Sequence, residues 1–323
     1  MNCCENCFRD THIQAIIKQN NVIGTCDFCN AEKIYIIDVS QTPNPIYDDI
    51  CELIQLYKLS DNKQAKLLKN ALCSDWDIFN CHEDSVLNLV KAICATAIDV
   101  NSEIFSKPVI IPELFDTDFL KEYSVVRDVT WDVFSDLIKN DNRFHTDKFN
   151  ADIFASYLSA FAKTYKKGSI FYRARIAKDK IGYKIKEMGT PPKGCRSAGR
   201  INPEGIPILY LSGDNKTVLN EIRAAIFDFV TIGKFKLQKD MTVVNLSAIS
   251  TTSPFEYDVR LEQFAVNRRI FQEIAQEIAK PLRRSDSPLE YLPTQYITEF
   301  IKSQKRYEGV EFASTLESVK YFV

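Results

Sequence analysis

Glycine is unevenly distributed along this chain of 323 residues, and this distribution limits what each part can fold into. Only Gly24 precedes residue 166, and the other nine glycines follow it. Residues 46–165 contain no glycine, and their only prolines are Pro108 and Pro112. Apolar residues recur there at three- and four-residue spacing, which is typical of amphipathic helices. The sequence therefore predicts a helical domain over residues 46–165.

The pattern changes after residue 166, where short runs typical of strands are mixed with helical ones. The predicted strands cover residues 169–175, 207–211, 229–237, 241–246 and 309–313. The predicted helices cover residues 217–227, 262–280 and 293–303. Their order lacks the regular alternation of a doubly wound sheet, so the chain is predicted to be α+β. We expect three domains, at residues 1–45, 46–165 and 166–323.

The formal net charge of −2 conceals a strong asymmetry along the chain. Residues 1–45 carry a net charge of −2, residues 46–165 carry −8, and residues 166–323 carry +8. A hydrophobic fraction of 45% excludes a disordered or low-complexity protein. An anionic ligand is therefore expected on the basic domain at the C-terminal end.

The sequence contains no sign of export or of a membrane anchor. The N-terminus has no apolar core of signal-peptide length, and no apolar run approaches the ~18 residues that span a bilayer. Nine of the ten cysteines precede residue 95, at spacings that favour a metal site over disulfides. We expect a cytoplasmic protein that does not bind membranes.

Four cysteines form two pairs, Cys4 with Cys7 and Cys26 with Cys29, that have the spacing of a zinc ribbon. Each Cys-x2-Cys turn presents two thiolates, and four thiolates complete a tetrahedral zinc site. The alternatives are two disulfides or four unrelated thiols. Cys3 could also pair with Cys7 in place of Cys4, which leaves a small ambiguity in the first pair. Because four cysteines leave no open coordination position, the zinc is expected to support folding and not catalysis.

Residues 166–200 contain eleven basic and two acidic side chains. A run of lysines ordinarily forms a solvent-exposed face. Arg173 lies on a predicted strand and Arg200 lies beside Gly199, so these two arginines are better candidates for ligand binding than the lysines. Planar guanidinium groups suit a pyrophosphate better than ammonium groups do, and Gly199 allows close approach of a ligand to the backbone. Arg175 is an alternative to Arg173.

The segment that runs Gly-Arg-Ile-Asn-Pro-x-Gly-x-Pro-x-Leu-Tyr-Leu over residues 199–211, followed by Thr217-x3-Glu221, resembles the signature of the RES domain family. The Phe-Tyr-Arg run ending at Arg173 is similar to the family's first arginine. Residues 293–303 and 308–314 are similar to the segment that ends in the family's serine, here Ser314. The resemblance covers about residues 166–323. Residues 1–165 resemble the zinc-knuckle and helical extension of some RES proteins, sometimes classed with HEPN-type domains.

This resemblance implies an active site related to ADP-ribosyltransferases that acts on NAD. It implies that Glu221 stabilises an oxocarbenium-like centre, while Arg173 and Arg200 hold phosphate or ribose oxygens, with Asn202 in the same binding segment. Tyr210 would stack on nicotinamide, and Ser314 would orient Glu221 or the ribose. RES proteins are typically toxins of bacterial toxin–antitoxin pairs, so a cognate antitoxin or a defence-system partner is implied as well.

The residues leave several alternatives open. Water in hydrolysis, phosphate in phosphorolysis and a protein side chain in ADP-ribosyl transfer all attack the same ribose carbon. The sequence therefore does not separate these three reactions. A second interpretation is a nucleic-acid-binding module that uses the zinc ribbon and the basic stretch around residues 166–200, but the net charge of −2 over residues 1–45 argues against it. A protein that only binds partners through the acidic middle is a third. The oligomeric state is also left open.

Overall fold

The computed structural model describes residues 1–41, 44–99, 102–192, 194, 198–222, 224–248, 252–256, 259–280, 287–313 and 320–322. The chain divides into two compact units. The first comprises Met1–Leu120 with Thr251–Asn267, and the second comprises Lys121–Ser250 with Arg268–Val323. This division into two units does not test the three domains expected from the sequence, which remain a prediction.

The N-terminal part of the first unit is a small antiparallel sheet with one helix. Its strands lie in the order β1 (Asn2–Cys4), β3 (Ile34–Asp38) and β2 (Ile23–Gly24). Helix α1 (Thr11–Gln19) buries Ile13 and Ile17, and the Asp10 carboxylate caps it by accepting a hydrogen bond of 3.0 Å from the backbone N–H of Ile13. This arrangement brings the sulfur atoms of the two Cys-x2-Cys turns within 4.8 Å of one another.

The rest of the first unit is mainly helical, and one small sheet lies within the stretch predicted as a helical domain. The helices are α2 (Tyr47–Gln55), α3 (Leu68–Asp75) and α4 (Glu83–Ile93). The sheet has the order β4 (Lys58–Leu59), β6 (Pro108–Ile110) and β5 (Lys66–Leu67). Strands of two or three residues are too short to produce a recognisable alternation.

The second unit contains, among the described residues, a seven-stranded sheet that supports the candidate site. Its order is β10 (Phe229–Lys236), β8 (Ile170–Ala177), β9 (Leu211–Ser212), β13 (Lys320–Phe322), β12 (Gly309–Ala313), β11 (Met241–Asn245) and β7 (Ala162–Tyr165). Strands β11 and β12 are parallel, whereas the other described neighbours are antiparallel. A parallel pair requires a long crossover, which here contains α9 (Leu261–Ala279) and α10 (Leu292–Ser303).

Most of the elements predicted after residue 166 are confirmed, with two differences. The strand predicted at residues 207–211 is mostly loop, and only its last residue enters β9. Helix α8 (Asn215–Glu221) begins earlier than predicted, because the Asp214 side chain caps it at residue 214, and it also ends earlier than predicted. Glu221 is consequently the last residue of this helix.

Aromatic packing holds the helices of the second unit together. Helices α6 (Trp131–Asn140) and α7 (Ala151–Leu158) contact α10 through rings whose centroids lie 5.2–6.1 Å apart. Such edge and tilted contacts add to the gain from burial. The rings belong to Phe134, Phe149, Phe154, Tyr296 and Phe300. Because α10 is held on this side, its opposite face has a defined position beside the loop at residues 199–202. Helix α5 (Thr117–Tyr123) completes the described helices.

Candidate functional site

A cavity of about 570 Å³ in the second unit contains four of the side chains that the sequence analysis proposes for catalysis. Arg173, Arg200, Tyr210 and Glu221 all line it, although they are spread over almost fifty residues of sequence. Phe312 of β12 and Leu211 of β9 provide apolar wall. Ser314 and Cys195 lie outside the described residues.

Strand β8 directs two arginines into the cavity, because residues two apart on a strand share a face. The Nη1 atom of Arg173 donates a hydrogen bond of 2.8 Å to the Met188 carbonyl oxygen and another to the Gly189 carbonyl oxygen. Arg173 is only 9% exposed, and these two carbonyl oxygens hold its guanidinium group at the edge of the cavity. Arg173 and Arg175 both line the cavity, so they are not mutually exclusive candidates.

Arg200 binds the end of a helix as well as lining the cavity. Its Nη1 atom donates hydrogen bonds of 3.0 Å to the carbonyl oxygens of Ile278 and Ala279, the last two residues of α9. These carbonyls have no partner within the helix and carry the negative end of its dipole, which favours a cation there. This contact uses one of the three guanidinium nitrogens and gives the Arg200 side chain a defined direction.

Asn202 and Tyr210 form a buried hydrogen-bond network in the wall behind the cavity. The Tyr210 hydroxyl donates a hydrogen bond of 2.7 Å to Asn202 Oδ1, and Asn202 is completely buried. At Gly199 a Cβ atom would lie 2.7 Å from Asn202 Oδ1 and 2.9 Å from the Tyr210 hydroxyl, so a larger residue would displace both groups. Glycine at 199 is thus required by this network.

Three side chains of α10 hold the loop that carries Arg200. Gln295 Nε2 donates hydrogen bonds of 2.7 and 2.9 Å to the carbonyl oxygens of Gly199 and Asn202. Thr294 Oγ1 donates one of 2.6 Å to the Arg200 carbonyl oxygen, and Thr298 Oγ1 one of 3.2 Å to that of Ile201. We call Thr294, Gln295 and Thr298 the loop clamp. All three are buried, and the sequence pattern indicates the helix without indicating this role.

Glu221 reaches the cavity from the C-terminal end of α8. The Asp214 carboxylate accepts hydrogen bonds from the Thr217 backbone N–H at 2.9 Å and the Thr217 hydroxyl at 2.7 Å. These bonds, of which that from the backbone is the stronger influence, lower the pKa of Asp214. Val218 anchors the helix by burial, so the position of Glu221 depends on a short, well-capped helix.

A second carboxylate, Glu311 on β12, is fully buried. Its two oxygens accept hydrogen bonds from Lys163 Nζ at 3.2 Å and from the Tyr165 hydroxyl at 2.8 Å. Burial, together with this hydrogen bond, raises the pKa of Tyr165. Because neighbours on a strand face opposite sides, Glu311 anchors the strand whose next residue, Phe312, lines the cavity. No local sequence pattern indicates this ion pair.

In the first unit, Cys4, Cys7, Cys26 and Cys29 form a cluster with the geometry of a metal site. Their Sγ atoms lie within 4.8 Å of one another, with separations of 3.8 Å for Cys4–Cys7, 3.4 Å for Cys4–Cys29 and 3.6 Å for Cys7–Cys26. A tetrahedral ion bound to sulfur at about 2.3 Å requires sulfur separations of about 3.8 Å. The four thiols therefore fit such an ion.

Hydrogen bonds among these thiols shift their pKa values in opposite directions. Hydrogen bonds from Cys4 and Cys7 lower the pKa of Cys26, and the contact with Cys26 raises the pKa of Cys4 to about 12. Cys3 Sγ donates to the Cys4 carbonyl oxygen and lies outside the four-sulfur cluster. The geometry thus selects the Cys4–Cys7 register over the alternative that begins at Cys3.

The chain was compared with known protein families, curated proteins and solved structures. A family model described as RES domain matches residues 170–320, just under half of the chain. Comparisons with curated proteins and with solved structures return no match. None of the helices in the described part of the chain has both the length and the apolar character needed to cross a membrane.

Proposed function

Residues 170–320 are a RES domain, and from this premise we propose that the protein is an enzyme that cleaves the bond between nicotinamide and ribose in NAD. One observation carries the proposal. Two arginines, a tyrosine and a glutamate that are distant in sequence line one cavity of about 570 Å³, which is within the size range of small-molecule sites.

The chemistry of this bond suits a carboxylate at the end of α8. As nicotinamide leaves, positive charge develops on the ribose ring, and a fixed negative charge nearby stabilises that state. Glu221 would supply this charge. Nicotinamide leaves as a neutral molecule, so the reaction needs no strong general acid. We propose that Tyr210, held by Asn202, stacks on the nicotinamide ring.

The arginines would hold the anionic part of the substrate. Guanidinium groups bind phosphate oxygens through paired, charge-assisted hydrogen bonds. Arg173 and Arg200 are already oriented by backbone carbonyls, so little side-chain freedom remains to be lost on binding. We assign them to phosphate or ribose oxygens, and we assign Ser314 to the orientation of Glu221 or the ribose.

The acceptor of the ADP-ribose group is water, phosphate or a protein side chain, and all three attack the same carbon. By its family, the protein would act as a bacterial toxin or a defence effector that depletes NAD or modifies a target. A cognate antitoxin or a defence-system protein is the partner that this role requires.

For the first unit, we propose that Cys4, Cys7, Cys26 and Cys29 bind one structural zinc ion. The sulfur separations support this assignment, and four thiolates complete a tetrahedral shell without an open position. The ion would stabilise the fold of this segment and take no part in NAD cleavage.

The test is to incubate the purified protein with NAD, with and without phosphate, and to identify the products by mass spectrometry. We expect nicotinamide together with ADP-ribose, its phosphorolysis product or a modified protein. Glu221→Ala should abolish nicotinamide release, while Glu299→Gln on the exposed side of α10 serves as the matched control. Full activity in Glu221→Ala, or intact NAD under every condition including added lysate, would overturn the proposal.

A further inference from the structure

Arg175 and Tyr183 form a cation–π pair, which we call the stack, in the cavity wall, and the proposed mechanism does not use it. The guanidinium carbon of Arg175 lies 3.9 Å from the centroid of the Tyr183 ring. Both residues line the same cavity as Arg173 and Glu221. A guanidinium group on an aromatic ring presents an extended flat and polarisable surface, which is the surface on which nucleobases stack.

The stack is held in place by the surrounding backbone. Arg175 Nη1 donates a hydrogen bond of 2.6 Å to the Glu187 carbonyl oxygen, and the Tyr183 hydroxyl donates one of 3.2 Å to that of Ile176. The Tyr183 backbone N–H donates to Thr231 Oγ1 at 3.0 Å. Its neighbour Gly182 has a φ of +69°, and a Cβ atom there would lie 2.5 Å from Thr231 Oγ1. The flat surface is therefore formed before any ligand binds.

Strand register places this stack on a different side of the cavity from Tyr210. Arg175 pairs with Thr231 of β10, so the stack lies where β8 meets β10. Tyr210 directly precedes β9, which pairs with β8 on its other side. A dinucleotide carries a flat base at each end, so a site for one needs two separated flat surfaces.

We infer that Arg175 and Tyr183 form the subsite for the purine base of an adenine nucleotide. The inference rests on the proposed function, and it adds that NAD is recognised through its adenine half as well as through the bond that breaks. The ring of Tyr183 and the plane of Arg175 provide the stacking surface, while the Tyr183 hydroxyl only positions the ring.

The experiment compares NAD with nicotinamide mononucleotide, which contains the same scissile bond but lacks the AMP half. We expect the wild-type protein to favour NAD. Replacement Tyr183→Leu should lower kcat/KM for NAD by about 5- to 150-fold, mainly through KM, since this is the range for loss of one stacked base. The value for nicotinamide mononucleotide should stay within about twofold, and Tyr183→Phe should retain the preference for NAD because it keeps the ring.

Three results would overturn the inference. They are equal use of both substrates by the wild type, an equal loss for both substrates in Tyr183→Leu, and a loss in Tyr183→Phe as large as in Tyr183→Leu. Arg175→Lys, which keeps the charge without the plane, provides the same comparison if Tyr183→Leu does not fold.

A binding measurement separates this inference from the proposed function. AMP is titrated into wild-type and Tyr183→Leu protein and followed by calorimetry. If neither substrate is cleaved, the proposed function fails, but tight AMP binding that weakens at least fivefold in Tyr183→Leu still supports the subsite. Absence of AMP binding, or equal binding by the two proteins, overturns it.

Discussion

The cysteine cluster of the first unit and the cavity of the second unit are built in opposite ways. The cluster takes its four thiols from the first 29 residues, and each Cys-x2-Cys turn is a local structure. The cavity takes side chains from residue 173 to residue 312 and depends on hydrogen bonds between segments more than ninety residues apart. A local site can be recognised by spacing alone, whereas a site assembled by the fold can be recognised only through its resemblance to other proteins.

The largest expected effect comes from disrupting the cysteine cluster. Chelation of zinc, or Cys26→Ser, should unfold residues 1–41, because structural zinc contributes about 10–16 kcal/mol to the folding of small zinc peptides. Hydrogen exchange would report the loss of protection, and native mass spectrometry would count the bound ion. Cys73→Ser, at an exposed cysteine outside the cluster, is the control. Unchanged protection after complete metal removal would contradict the zinc assignment.

The next largest effect concerns the chemistry of the assembled site. Glu221→Gln keeps the shape of the side chain and removes its charge, so kcat for NAD cleavage should fall by about 10²- to 10³-fold with a small change in KM. Steady-state kinetics of nicotinamide release measures this change. A variant that loses affinity for NAD while keeping kcat would show that Glu221 binds substrate instead of stabilising developing charge.

The loop clamp tests whether the cavity depends on distant parts of the fold. Gln295→Leu removes hydrogen bonds to two carbonyl oxygens, each worth about 0.5–1.5 kcal/mol. We expect a loss of about 1–3 kcal/mol in the free energy of unfolding and faster hydrogen exchange at residues 198–202. The control is Gln304→Leu, just beyond the same helix, where the side-chain amide donates a hydrogen bond to the neighbouring Ser303 hydroxyl. Equal effects of the two variants would show that Gln295 does not hold the loop at residues 199–202.

The smallest expected effect is that of the cap on α8. Asp214→Ala should lower the free energy of unfolding by about 1 kcal/mol at pH 7. Because the folded-state pKa of Asp214 is lowered, its stabilisation is fully present above the unfolded pKa of about 3.9. It is lost as the pH falls through the folded pKa, so the difference between wild type and Asp214→Ala should shrink below about pH 4. Urea unfolding at pH 7 and pH 3 measures it, and a constant difference would contradict the role of the charge.

The sequence predicts long elements well and tertiary contacts poorly. Strands β8 and β10 and helices α9 and α10 follow clear periodicities, and the α+β class is confirmed. The two-residue strands β4, β5 and β9 leave no such signal. Nothing local indicates that Gln295 contacts the loop near Arg200, or that Glu311 is paired with Lys163, because both contacts exist only after distant segments pack.

The parallel pairing of β11 with β12 determines when a newly made chain can complete the cavity. Asn245 pairs with Glu311, and all of the residues between them must be synthesised before this contact can form. Contacts of such long sequence separation form late in folding. A chain still attached to the ribosome lacks the wall at Phe312 until β12 has been translated. Assembly of the site therefore waits for β12, even though β8 and β11 are made earlier.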